Sequence, residues 1–206
     1  MKKISVLIAD DHTIVRIGLR TLLSYDAGIE VIGEARNGEQ AVRETLRLSP
    51  DVVVMDLAMP KKDGVEATRE ILEMRPETRV LILTSYGTSD GIAHALEVGA
   101  AGAMMKTADD GKIVSTIKKI AGGATCVSPD IQRQLEANPP VPRLSARQRE
   151  VLQLIVDGKT SKEIASMLGI RPDSVDDVTR ALFEKMNVSN RIEAVAIALR
   201  KHLLKI

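Results

Sequence analysis

Short, densely apolar runs rich in β-branched residues recur through the first 120 residues: Val6-Leu7-Ile8-Ala9, Val31-Ile32, Val52-Val53-Val54-Met55, Val80-Leu81-Ile82-Leu83 and Ala103-Met104-Met105. None alternates with polar residues, so each reads as a strand buried on both faces. Amphipathic helical patterns follow them near Thr13–Ser24, Gly38–Leu48, Gly64–Met74, Ser89–Val98 and Asp109–Ile120, with connections of only a few residues. Strand and helix in strict alternation call for a parallel sheet, because parallel neighbours need crossovers and right-handed crossovers place helices on both faces. An α/β domain with five parallel strands is expected over residues 1–122.

Periodicity fades from Gly122 to Arg143, and Asn138-Pro139-Pro140-Val141-Pro142 cannot continue a helix. Residues 123–142 are therefore expected to be a linker. Over 143–206 come four helical stretches, with Ser145 and Gln148, Thr160 and Glu163, and Asn190 and Glu193 at capping-box spacing and Gly158 and Gly169 where helices would stop. A tight turn at Leu168-Gly169-Ile170, between the second and third, predicts a helix-turn-helix within a small all-α domain. A length of 206 residues, 44% of them apolar, suffices for two cores.

Aromatic residues are confined to Tyr25, Tyr86 and Phe183, which argues against functions that rest on stacking bases. Cys126 stands alone, so no internal disulfide forms; a small buried residue in a reducing cytoplasm is expected. The start, Met1-Lys2-Lys3 and a short apolar run ended by Asp10 and Asp11, reads as neither a signal peptide nor a membrane span, and a soluble protein follows. The net charge of +1 conceals an asymmetry: residues 143–206 hold 12 Lys and Arg against 8 Asp and Glu, and the rest 17 against 20. A basic tail on an acidic body suits a protein that approaches nucleic acid.

In an open parallel sheet, chemistry gathers at the carboxyl ends of the strands. Asp10 and Asp11 close the first predicted strand, Asp56 the third, Thr84 and Ser85 the fourth and Lys106 the fifth. Three converging carboxylates would repel one another unless a cation held them, and Mg²⁺ is a hard ion that binds one or two carboxylates and keeps several waters. Asp10-Asp11 alone could also be a solvated loop and helix cap, Lys106 alone a surface charge, and Asp56 merely a strand end. The joint placement at four strand ends is what singles these residues out.

The acid pair, the run Asp56-Leu57-Ala58-Met59-Pro60, Thr84 and Lys106 resemble a response-regulator receiver over roughly residues 4 to 120. That resemblance implies a flavodoxin-like fold in which Asp56 takes a phosphoryl group from a histidine kinase. By the same resemblance, Asp11 and Asp56 bind Mg²⁺, Asp10 assists through water, and the Ala58 carbonyl completes the ligands. Lys106 and Thr84 would then meet the phosphoryl oxygens. The sequence departs from the family at Ala103, where many receivers carry an aromatic switch residue, and Tyr86 is the nearest substitute. His12, His94 and His202 are scattered and no nucleophile-and-base set appears, so no enzyme beyond self-phosphotransfer and dephosphorylation is expected.

Residues 143 to 203 are similar to the DNA-binding domain of LuxR/FixJ/NarL regulators, with Gly158-Lys159-Thr160-Ser161-Lys162-Glu163-Ile164-Ala165 resembling the positioning helix. The resemblance implies that a helix from about Pro172 to Met186 lies in the major groove of double-stranded DNA. Lys159, Lys162, Arg171, Ser174, Val175, Asp176, Asp177, Arg180 and Lys185 are the expected contacts, with Arg191 nearby. Asp176-Asp177 stands where the family places a lysine, and with Asp173 it puts acids against phosphates. Acids also complement a helix start, and a carboxylate can accept from cytosine N4. The alternative reading is a degenerate domain acting through protein contacts. A homodimer is expected, with seams proposed on Ile192, Val195, Ala196 and Leu199, or on Val15, Leu19, Ile113 and Ile117; for Ile192 and Val195, core is the first reading.

Overall fold

The computed structural model describes residues 2–85, 89–141, 144–200, 203 and 204, with the side chain of Arg200 left out. Two compact units are present, Met1–Pro139 and Pro140–Ile206. The first contains β1 (Ile4–Ala9), α1 (Thr13–Ser24), β2 (Ile29–Ala35), α2 (Gly38–Leu48), β3 (Val52–Met55), α3 (Gly64–Met74), β4 (Arg79–Thr84), α4 (Ser89–Glu97), β5 (Gly102–Met105), α5 (Asp110–Ala121), β6 (Cys126–Val127) and α6 (Pro129–Ala137). All strand pairs are parallel, in the order β2-β1-β3-β4-β5-β6. The direction of winding reverses between β1 and β3, which opens a crevice at their carboxyl ends.

Both faces of the sheet are covered, as continuous apolar strands require. Leu7, Val53, Ile82 and Ala103 pack with α2, α3 and α4, whereas Val6, Ile8, Val54 and Leu81 pack with α1 and α5. The caps of α2 and α3 are local: Asn37 accepts from the Gln40 N–H and Asp63 from the Glu66 N–H. Among the described residues, no helix is long and apolar enough to cross a membrane.

The expectations of five strands and of a linker over 123–142 need correction. Cys126 and Val127 pair with Gly102 and Ala103 as a sixth strand, and α6 then packs on α4 and β5. Ile131, on α6, is fully buried in the same cluster as Ala103 and Ile92. Two residues carry no readable strand pattern, but Ser128 capping the Ile131 N–H, with Pro129 following it, is a helix start that composition alone obscured. Ala103 is fully buried; its carbonyl accepts from the Ser128 N–H at 3.0 Å. Cys126 is half-buried rather than buried. Tyr86 lies outside the described residues.

The second unit contains α7 (Ala146–Val156), α8 (Ser161–Leu168), α9 (Pro172–Met186) and α10 (Arg191–Arg200). Ser145 with Gln148 and Thr160 with Glu163 form complete capping boxes, and Gly169 stops α8 in the left-handed conformation at φ 62°. Val151, Leu152, Ile164, Val175, Leu182 and Ala194 centre its own core.

Candidate functional site

The sheet ladder runs past the strand ends and fixes the polar residues that follow. The Asp56 N–H donates to the Ala9 carbonyl at 2.8 Å, Asp10 N–H to Ala35 at 3.1 Å, and Lys106 N–H to Thr84 at 2.9 Å. Gly64, opening α3, donates to the Leu57 carbonyl at 2.9 Å. A Cβ at Gly64 would lie 2.2 Å from the Asp56 carbonyl oxygen, so only glycine lets the helix close against the loop after β3.

Asp10, Asp56 and Thr84 are buried, with Asp10 and Asp56 only 2% and 4% exposed. The Lys106 Nζ reaches between them, 2.5 Å from Asp10 Oδ2 and 3.2 Å from Asp56 Oδ2. Burial pushes the Asp56 carboxyl above the usual carboxylate range; Lys106 opposes this, Asp10 adds to it, and the net shift is upward. Asp11 is half-buried, and its Oδ1 is buried without a hydrogen-bond partner of acceptable geometry, although His12 Nδ1 lies 2.7 Å away. Ala58 is exposed in the connection from β3 to α3.

Oxygens of Asp10, Asp11 and Asp56 and a nitrogen of His12 all lie within 4.8 Å of one another. One lysine against three carboxylates leaves negative charge uncompensated, and the buried Asp11 oxygen has no hydrogen bond. A hard divalent cation answers both, so the residues fit one. The pocket thus brings together Asp10, Asp11, Asp56 and Lys106, and at the neighbouring strand end Thr84 is tied to Lys106 through its backbone carbonyl. Sequence reasoning missed His12 and, behind the pocket, Arg16, which is 2% exposed within α1. A charged residue on the buried stripe of a helix was the signal available for Arg16.

In the second unit, α9 presents Asp173, Ser174, Asp176, Asp177 and Arg180 to solvent. Arg171 lies 3.4 Å from Asp173 and Arg180 lies 3.7 Å from Asp177, exposed pairs that neutralise part of the acidic turn. Lys162 is exposed, and Lys159 and Lys185 are half-buried. Val175 must be withdrawn from the expected DNA contacts, because it is fully buried in the core and holds α9 in place. Arg191 donates to the carbonyls of Ile155 and Lys159, which makes it a staple from α10 to the end of α7.

The expected seams are also redistributed. Ala194 and Ala198 form the buried side of α10, whereas Ile192 is 82% exposed and Leu199 44%; Val195 packs against the core. Leu19, Ile113 and Ile117 are buried between α1, α5 and the sheet, so they cannot form an intermolecular seam.

Residues 6–118 match the response regulator receiver domain, and residues 142–198 match the bacterial regulatory proteins of the luxR family. The chain is 36% identical over 209 residues to the transcriptional regulatory protein LiaR of Bacillus subtilis (strain 168), covering 98% of this chain and 99% of that one. The oxygen regulatory protein NreC of Staphylococcus carnosus (strain TM300) is 34% identical over 213 residues, covering 97% and 98%. Among solved structures, the response regulator ChrA of a heme-sensing two-component system aligns with a TM-score of 0.60 and 32% identity over 99% of this chain and all of that one. A complex of the two-component response regulator RcsB with DNA aligns with a TM-score of 0.68 and 25% identity, over 95% and 97%. Receiver and LuxR-type helix-turn-helix in one chain, matched end to end by these relatives, make it a member of the LuxR/FixJ/NarL class of two-component response regulators.

Proposed function

We propose that a histidine kinase phosphorylates this regulator on Asp56 and that its second unit then controls transcription by binding double-stranded DNA. The observation that carries the reading is the Asp56 carboxyl buried beside Lys106 Nζ and two further carboxylates. One Asp56 oxygen attacks the phosphorus of a phosphohistidine, the P–N bond breaks, and the leaving imidazole nitrogen takes up a proton. Asp11, Asp56 and the Ala58 carbonyl, with Asp10 assisting through water, would hold Mg²⁺, which would supply the charge neutralisation that this transfer requires. Lys106, now bonded to Asp10 and Asp56, pairs with a phosphoryl oxygen, and Thr84 donates its hydroxyl to another. Hydrolysis of the acyl phosphate resets the site, and no chemistry on an external substrate is proposed.

The DNA contacts are Lys159, Lys162, Arg171, Ser174, Asp176, Asp177, Arg180 and Lys185, with the cations on phosphates and the α9 acids turned to base edges. The luxR-family match over 142–198 and the DNA complex of RcsB favour DNA over protein contacts as the role of this unit. Ile192, Ala196 and Leu199, spaced along the exposed side of α10, support a homodimer seam. Such a regulator works in the cytoplasm, beside the chromosome.

Intact protein treated with acetyl phosphate and Mg²⁺ should gain one acid-labile phosphoryl group, lost in Asp56→Ala, and only the phosphoprotein should select a sequence from randomised duplexes. Equal labelling of Asp56→Ala, or no retardation of any duplex by the phosphoprotein, would contradict the corresponding half of the proposal.

A further inference from the structure

Arg16 sits one turn into α1, and its guanidinium is buried with its donors engaged. Nη1 donates to the Asp10 carbonyl at 2.9 Å and approaches the Asp11 carbonyl at 3.3 Å. Nη2 donates to Thr13 Oγ1 at 3.1 Å, and Nε to Glu34 Oε2 at 3.1 Å. Glu34, on β2, accepts Arg20 Nε on its other oxygen at 2.6 Å. Burial pushes the Glu34 carboxyl up, but the Arg20 and Arg16 hydrogen bonds outweigh it and hold the group below its usual range.

The two carbonyls that Arg16 grips belong to the residues whose carboxylates face the cation pocket. Fixing consecutive peptide planes fixes the directions of both Cα–Cβ bonds, and therefore where the carboxylates can point. The helix start explains why such a clamp is needed. His12, the cap of α1, makes no side-chain capping bond, whereas Asn37, Asp63, Asp109 and Ser128 each cap their helices. Asp11 is thus not consumed as a helix cap and keeps an oxygen without a hydrogen bond. The loop carrying these adjacent, mutually repelling acids is tied to β2 through the Asp10 N–H and on its pocket side through Asp10 Oδ1, which accepts the His12 N–H at 2.9 Å. The guanidinium fork holds it from behind, reaches the Asp11 peptide as well, and adds positive charge.

We infer that Arg16, oriented by Glu34, is the positioning residue of the cation site: it presets the Asp10 and Asp11 carboxylates and so governs divalent-cation affinity without touching cation or phosphoryl group. This inference rests on the reading of the pocket given above. Partners behind a metal site of this kind are commonly worth about 10–100-fold in affinity.

The test is titration of the full chain with Mn²⁺, followed by the paramagnetic resonance of free ion, and with Mg²⁺ by calorimetry. Arg16→Met, of similar bulk but without donors, should weaken binding by about 10–100-fold. Arg16→Lys, which keeps the charge but cannot span two carbonyls and Glu34, should fall between it and wild type. Glu34→Gln should weaken binding by a smaller factor. In acetyl phosphate labelling, the half-saturating Mg²⁺ should rise in the same order while the rate at saturation stays near that of wild type. Far-UV circular dichroism shows which variants fold; if Arg16→Met does not, Arg16→Lys and Glu34→Gln decide the matter. Unchanged affinity in the folded variants, or a lost saturating rate with unchanged affinity, overturns the role of Arg16. Failure of the wild type to bind either ion overturns the pocket itself, and the positioning role with it.

Discussion

Glu34 shows how a single surface acid becomes structural. It bridges Arg16 and Arg20 of α1 from β2, and its carboxyl is held below its ordinary value of 4.5. A depressed carboxylate stabilises the fold above that value, and the contribution disappears as pH falls through the lower folded-state value. Glu34→Gln should therefore melt below the wild type near neutral pH, and the gap should close as pH drops under 4.5. A gap that persists unchanged into acid, in paired thermal melts, would show that the bridge adds nothing through charge. At this scale Asp10, Asp11, Asp56 and Lys106 were each ambiguous alone and were singled out only by their joint placement at strand ends. Arg16 could not be singled out so, because a basic residue inside a helical stripe discloses its burial only once β2 and the loop after β1 close around it.

Among the elements, α6 differs most from what the chain order suggests. Its Ile131 is fully buried and shares a core cluster with the fully buried Ala103 and Ile92. β6 pairs with the edge of β5, and α6 after it packs on α4 and β5. Ile131→Ala should destabilise the first unit by about 2–5 kcal/mol, the usual cost of a large-to-small change in a core. Denaturant unfolding followed by circular dichroism measures it, and a loss below about 1 kcal/mol would mean that α6 is only loosely applied. The helices α1 to α5 and strands β1 to β5 were legible because periodic or continuous apolar patterns are decided locally. A two-residue strand has no such pattern and exists only because the edge of β5 offers it hydrogen bonds.

The whole molecule carries two separate sets of buried side chains, one around the parallel sheet and one among α7 to α10. The receiver match lies on the first and the luxR-family match on the second. Leu182→Ala, which opens the second core at α9, should cost about 2–5 kcal/mol there and abolish DNA retardation. Labelling of Asp56 by acetyl phosphate should remain at the wild-type rate, and a fall in that rate would show that the two units do not function separately. The alternation of strand and helix determined a parallel sheet covered on both faces from sequence alone, because crossover handedness leaves few topologies, and the strand-end residues carried the resemblance to a receiver. Tertiary packing decided which apolar residues face inward. It buried Val175, Leu19, Ile113 and Ile117, exposed Ile192, and folded part of the expected linker onto the sheet. The physical reason is that periodicity specifies a face, but only the neighbouring elements specify whether that face meets a core, a partner or water.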